Sequence, residues 1–246
     1  MHTILRIVIA ALLLPAAAFA NPAVNINWTA CPPGNTSTNR TLADGPTATV
    51  VVTGHGFTQA VRAIHIVVEV SYAGVQGIPD SWRYDPAGCN AGGFQASYAS
   101  AGCPSIVGTN PVSVGKFEYD EIRGRATLAL VFDPWTPDPN TTYTLAQFTF
   151  DKSNAFRGLG AKADSCGCAE RSECLSLVYA TWLDVNTNET HFNLESYSVS
   201  WEDPYGIACG VADCFDPPCD NRDPCSLAQP TPVEQRSWGS VKSQYR

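Results

Sequence analysis

Seven stretches of this chain alternate in side-chain character with a period of two, which suits a strand and does not suit a helix. They are TATVVVTG (47–54), AIHIVVEVSY (63–72), VSVGKFEYDEI (112–122), RATLALVFD (125–133), TYTLAQFTFD (142–151), LSLVYATWLDV (175–185) and THFNLESYSVSWE (190–202). All are rich in β-branched and aromatic residues, and Gly, Pro, Asn and Asp fill the intervals. In TYTLAQFTFD the alternation sends Thr144, Ala146, Phe148 and Phe150 one way and Tyr143, Leu145, Gln147 and Thr149 the other, so the first face is the more aromatic. DEIRGR around Gly124 and DVNTNET around Asn186 read as hairpin turns. With no helical period between the strands, βαβ units are excluded. The expected class is all-β, an antiparallel β-sandwich or jelly roll.

The chain opens on MHTILRIVIAALLLPAAAFA, in which Arg6 precedes an apolar stretch from Ile7 to Leu14 and small residues stand at Ala18 and Ala20. That is the pattern of a secretory signal, expected to be cut after Ala20, and the stretch is shorter than the ~20 residues a membrane span needs. No later apolar run is long enough to span a bilayer, so the mature chain is expected to be secreted or held at the cell surface.

Export changes the meaning of the ten cysteines, Cys31, Cys89, Cys103, Cys166, Cys168, Cys174, Cys209, Cys214, Cys219 and Cys225. An even count in an oxidising compartment favours disulfides over thiolate metal sites. Ten cysteines allow about 945 complete pairings. Closeness in sequence suggests Cys89 with Cys103, one bridge within 166–174 and two within the last four. The cluster DSCGCAERSEC (164–174) has the wrong spacing for a structural zinc site, has no histidine nearby and contains no redox C-x-x-C. It reads as a clamp at the head of the following strand.

Charge limits the partners. Against 15 Lys and Arg stand 23 Asp and Glu, a net charge of −8, and such a surface repels phosphate backbones. No nucleic-acid partner is expected, and an anionic membrane is a poor one. After Trp201 the strand pattern stops: four cysteines fall within 204–228, followed by a Pro-containing tail at 229–246. The layout is therefore a sandwich over 24–203 and a Cys-rich appendage that needs bridges to hold it.

The order VNINWTAC (24–31), IPDSWRYDPAGC (78–89), TYTLAQFTFDKSNA (142–155) and a cysteine cluster running into CLSLVYATW (174–182) resembles a group of exported bacterial proteins with a single β-sandwich domain of the cohesin or carbohydrate-binding-module type. The resemblance implies a cohesin-like jelly roll of about nine strands and a non-catalytic role. The tail PVEQRSWGSVKSQYR (232–246) also resembles short C-terminal segments of such proteins.

Candidate chemistry is sparse. In FDPWTPDPNTT (132–142), Trp135 with Asp133 and Asp138 offers either a sugar-stacking platform with carboxylates for hydroxyls or a rigid crossover. Trp82 and Tyr84 in DSWRYD are either core-capping aromatics or ligand contacts. Asp213, Asp216, Asp220 and Asp223 interleave with cysteines, which makes structural calcium the one cofactor left open. DVNTNETHFNLE (184–195) places Asp184, Asn186, Asn188 and Glu195 at calcium-loop positions, but Glu189 stands where the loop needs Gly, so a hairpin turn is expected. There is no G-x-S-x-G elbow and no H-E-x-x-H, and beyond the leader only His55, His65 and His191 remain, His65 reading as a structural residue within its strand.

Two function classes result, neither of them an enzyme. One is a secreted, non-catalytic binding or adhesion module whose ligand is an extracellular protein or carbohydrate. The other is a structural cell-surface component attached or sorted through its tail. A secreted hydrolase is the reading the residues support least, since nothing pairs two carboxylates across a cleft.

Overall fold

The computed structural model describes residues 22–28, 39–40, 45–72, 78, 82–120, 123–154, 173–196 and 198–201. The expected leader, appendage and tail lie outside the described residues. Every named element is a strand: β1 (Ala23–Trp28), β2 (Asn39–Arg40), β3 (Thr47–His55), β4 (Val61–Tyr72), β5 (Phe94–Ser97), β6 (Val112–Tyr119), β7 (Gly124–Trp135), β8 (Tyr143–Asp151), β9 (Glu173–Asp184), β10 (Glu189–His191), β11 (Asn193–Ser196) and β12 (Ser198–Trp201). No helix among the described residues is long and apolar enough to cross a membrane.

The strands form a β-sandwich. The smaller sheet runs β11-β1-β3-β8-β5, and the larger runs β2-β12-β9-β4-β7-β6 with β10 added on β9. Pairing is antiparallel except at two edges, where β1 meets β11 and β12 meets β2 in parallel. Among the described residues twelve strands are named against the about nine implied by the resemblance, and five of them, β2, β5, β10, β11 and β12, are short pieces of two to four residues.

Six of the seven expected strands form within a few residues of their expected limits. The seventh, 190–202, divides into three. β10 pairs with β9, β11 crosses to the smaller sheet to join β1, and β12 returns to β9. The corner is fixed by Phe192, whose amide donates to Ala180 O while its ring enters the core edge-on to Phe57 at 5.7 Å. A buried aromatic at that point outweighs continuation of a regular strand.

The core fills the space between the sheets. Val24, Ile26 and Trp28 point into it from β1, Ile64, Ile66, Val68 and Val70 from β4, and Phe148 and Phe150 from β8. Burial of each such side chain contributes about 1.5–3 kcal/mol. Trp82 and Trp201 lie among the fully buried residues, 5.6 Å apart and edge to face. Between their rings sits the fully buried Lys152, its Nζ 4.1 Å from one centroid and 4.2 Å from the other. The indole faces offset part of the desolvation of that ammonium.

Several bulges change the phase of strands, two of them in β8 and β9. In β8, Val52 faces Ala146 while Thr53 faces Thr144, so Leu145 is the extra residue. Leu145 and Tyr143 therefore join Ala146, Phe148 and Phe150 in the core, where strict alternation had placed them opposite. In β9, Val67 faces Tyr179 and Val68 faces Leu177, leaving Val178 extra. Inward residues change from Leu175 and Leu177 to Ala180 and Trp182.

Candidate functional site

The aromatic loops named from the sequence do not converge on one surface. Trp82 is fully buried and Tyr84 nearly so, and both pack on Phe150. Neither ring offers a face to a ligand: Trp82 and Tyr84, for which DSWRYD left core-capping and ligand contact open, lie in the core. Burial also pushes the Tyr84 hydroxyl well above the usual phenol range, with Asp151 adding to the effect. Trp135 is half-buried, its ring edge-on to Tyr143 at 5.3 Å. Asp133 accepts from Thr109 Oγ1 at 2.7 Å and Asn110 Nδ2 at 2.8 Å. These donors hold its carboxyl below the ordinary range. Asp138 caps its own turn through Asn140 N at 2.9 Å, while its amide donates to Tyr143 Oη at 2.9 Å. Asp138 is thus a turn-maker, while Asp133, within β7, ties the 109–110 segment to that strand.

The 184–189 turn is a hairpin between β9 and β10, as expected. Asp184 accepts from the Asn186 and Asn188 amides and from Asn188 Nδ2, each at 2.8 Å. Partial desolvation raises its pKa, but these donors outweigh it and the carboxyl lies below its usual range. Among the described residues no three His, Cys, Asp or Glu side chains are placed to hold a metal. Asp213, Asp216, Asp220 and Asp223 lie outside the described residues, as do Cys31, Cys166, Cys168, Cys209, Cys214, Cys219 and Cys225. Cys89, Cys103 and Cys174 are in disulfide form, and Cys174 is the second residue of β9. A shallow depression of about 190 Å³ is lined by Ala91, Gly92, Gly93, Asp151, Ser153 and Asn154. Its one acid, Asp151, accepts from the Ser153 amide and hydroxyl, so no second carboxylate faces it.

What the strands do assemble is the outer face of the larger sheet. The registers of β6, β7, β4, β9 and β10 align Val112, Val131, Ala63, Leu183 and Glu189 in one row, and Val114, Ala129, His65, Thr181 and His191 in the next. A third row carries Lys116, Thr127, Val67 and Tyr179, and a fourth Glu118, Arg125, Glu69 and Ser176. Val112 is 67 % exposed and Val131 40 %, neighbours across strands on the same face. Large apolar groups left open side by side are the informative departure from an ordinary surface.

Beside them, the Tyr179 ring lies edge-on to His65 at 5.0 Å and to His191 at 5.8 Å, and its hydroxyl donates to Glu189. Burial, then the Glu189 bond, raises Tyr179 to about 12. At the far end Glu69, 4 % exposed, accepts from Arg123 at 3.0 Å and Arg125 at 3.4 Å and ties β4 to the β6–β7 hairpin. Sequence reading took His65 as a structural residue but did not place it on this face. The available signal was that both phases of RATLALVFD are apolar, Leu128 and Leu130 inward and Ala129 and Val131 outward.

This face carries a pH dependence. Burial lowers His65 from 6.5 to about 4, Glu189 opposing and Lys116 assisting. The unfolded chain takes up this proton near 6.5 and the folded chain only near 4, so between those values the unfolded state binds more protons. Stability is therefore expected to fall by on the order of 2–3 kcal/mol as pH drops from 6.5 to 4, and to change no further through this group below 4. A His65→Leu variant should flatten that slope in urea titrations at several pH values, and an unchanged slope would count against the assignment.

The architecture is similar to that of cohesin modules. A type II cohesin domain from the cellulosome of Acetivibrio cellulolyticus is 10% identical, with a TM-score of 0.41, covering 74% of this chain and 95% of that one. A cohesin module from the Clostridium perfringens family 33 glycoside hydrolase is 12% identical, with a TM-score of 0.36, covering 72% and 96%. A non-cellulosomal cohesin from the archaeon Archaeoglobus fulgidus is 8% identical, with a TM-score of 0.32, covering 73% and 89%. No family model and no curated protein matches the chain.

Proposed function

We propose that this chain is an exported, non-catalytic β-sandwich module that binds a protein through the outer face of its larger sheet. The observation that carries the reading is the open Val112–Val131 pair, set on the same sheet face as the His65, Tyr179 and His191 rings. Exposed apolar groups beside partly buried aromatics suit a protein partner. A carbohydrate ligand is favoured less, because Trp82 and Tyr84 are core residues and Trp135 stands on edge against Tyr143. The disulfide at Cys174, the second residue of β9, would stiffen the scaffold that presents the face.

Two face variants test this reading, Val131→Asp and Tyr179→Ala. Each should reduce retention of a protein partner by roughly tenfold or more while near-UV circular dichroism remains that of the folded sandwich, Tyr179→Ala also losing some stability with its contacts to His65, His191 and Glu189. Equal retention by both variants, or a glycan retained on an array with no protein bound, would overturn the proposal.

A further inference from the structure

Sheet edges decide how a sandwich meets other chains, because an edge strand presents unpaired backbone N–H and C=O groups. Among the described residues the sheets end on β11, β5, β2 and β6. The first three are two to four residues long, and short edges are a standard protection. β6 differs. It has eight residues, contains no proline, and pairs with β7 without a register shift from Val112↔Val131 to Tyr119↔Gly124. Ser113 and Gly115 on it are exposed.

The two charges on this strand decide what it pairs with. Lys116 and Glu118 lie on the same face, two residues apart, with side chains 28 % and 54 % exposed and Nζ to Oε1 at 2.8 Å. When two copies of one strand pair antiparallel about a two-fold axis normal to the sheet, the residue on the axis faces itself, and residues equally spaced on either side face one another. An axis at Lys116 sets lysine against lysine, and an axis at Glu118 sets glutamate against glutamate. An axis at Gly115 sets Lys116 against Val114. With the axis at Phe117, Lys116 of each copy faces Glu118 of the other, and both pairs are attractive. Like charges directly opposite destabilise a sheet and opposite charges support it, so the strand is self-complementary in one register and discouraged in its neighbours.

We infer that β6 is a homodimer edge, pairing with β6 of a second copy about a two-fold axis at Phe117. The larger sheets then join into one continuous sheet whose outer faces lie on the same side. Both copies of the protein-binding face stay open, and the pairing does not depend on what that face binds. Lys116 and Glu118 would also act as guards, since the wrong registers and uncontrolled edge growth bring like charges together. A single strand pair is small beside the 1,200–2,000 Å² typical of stable interfaces, so the dimer should be reversible, with dissociation on the order of micromolar.

Sedimentation equilibrium of the mature protein at a range of concentrations around roughly 10 µM tests the inference. Wild type is expected to shift from monomer to dimer as concentration rises. Lys116→Glu leaves two glutamates on the edge and Glu118→Lys leaves two lysines. Each variant alone should be monomeric over that range, with dimerisation weakened roughly tenfold or more. An equimolar mixture of the two restores attraction at both positions and should form a heterodimer. Near-UV circular dichroism of each variant checks that the sandwich is intact. A wild type that stays monomeric throughout, single variants that still dimerise, or a mixture that fails to pair would each overturn the assignment.

Discussion

Replacing Trp82 by alanine is expected to lower folding stability by about 3–5 kcal/mol, measured by urea denaturation at neutral pH. The ring is fully buried and packs at 5.6 Å on both Phe150 and Trp201 and at 6.4 Å on Tyr84, so its loss opens a cavity lined by three aromatics. A second effect has the same sign. Lys152 would keep Trp201 and lose the Trp82 face, which leaves a buried ammonium less well compensated. Trp82→Phe fills most of the space and should lose appreciably less. A midpoint unchanged by Trp82→Ala would mean that the ring is outside the core, as the ligand-contact alternative required.

Deleting Leu145 should cost little more than shortening it. Leu145→Ala truncates a fully buried side chain, for which about 2–5 kcal/mol is expected. Deletion loses the same burial but removes only the extra residue: Thr144 stays opposite Thr53 and Tyr143 opposite Gly54, so plain alternation from Ala146 still turns Tyr143 inward. Its edge contacts to Phe57 and Trp135 and its bond from the Asp138 amide are kept. The deletion should fall within ~1 kcal/mol of the alanine variant in the same denaturation experiment, and a much larger loss would show that the bulge itself holds the strand in register.

These cases show which parts of the fold were legible in the chain. Period-two alternation located β3, β4, β6, β7, β8 and β9 because those strands are long and flanked by turn residues. β1 carries an equally clear alternation of Val24, Ile26 and Trp28 with Asn25 and Asn27, and it entered only as part of a resemblance. β5, four residues of FQAS with half-buried and exposed positions, has too short a pattern to stand out. The three-way division of 190–202 depends on Phe192 meeting Phe57, a contact between residues remote in sequence that no local period records.

The site was less legible for a related reason. Trp82 carries the same apolar body whether it caps a core or stacks on a sugar, and only its partners decide. The outer face of the larger sheet is a cross-strand object. His65, Thr181 and His191 become neighbours through registers of three different strands, and Val112 meets Val131 only once β6 and β7 are aligned. Asp133, Asp138 and Asp184 have the right chemistry for a ligand. Their carboxylates instead accept donors from their own turns or, for Asp133, from the nearby Thr109 and Asn110.

The bulges at Leu145 and Val178 also bear on how this chain is to be aligned with distant relatives. Across each of them, counting residues along the strand reverses inside and outside, so Tyr143 and Phe148 share a face at odd separation, as do Leu177 and Ala180. A comparison that propagates facing from one end of β8 or β9 will invert half of the strand and score true equivalents as mismatches. Treating each as two half-strands joined by one unmatched position recovers the correct equivalences. Single-residue gaps at 145 and 178 are therefore the expected signature of relatives that share this scaffold.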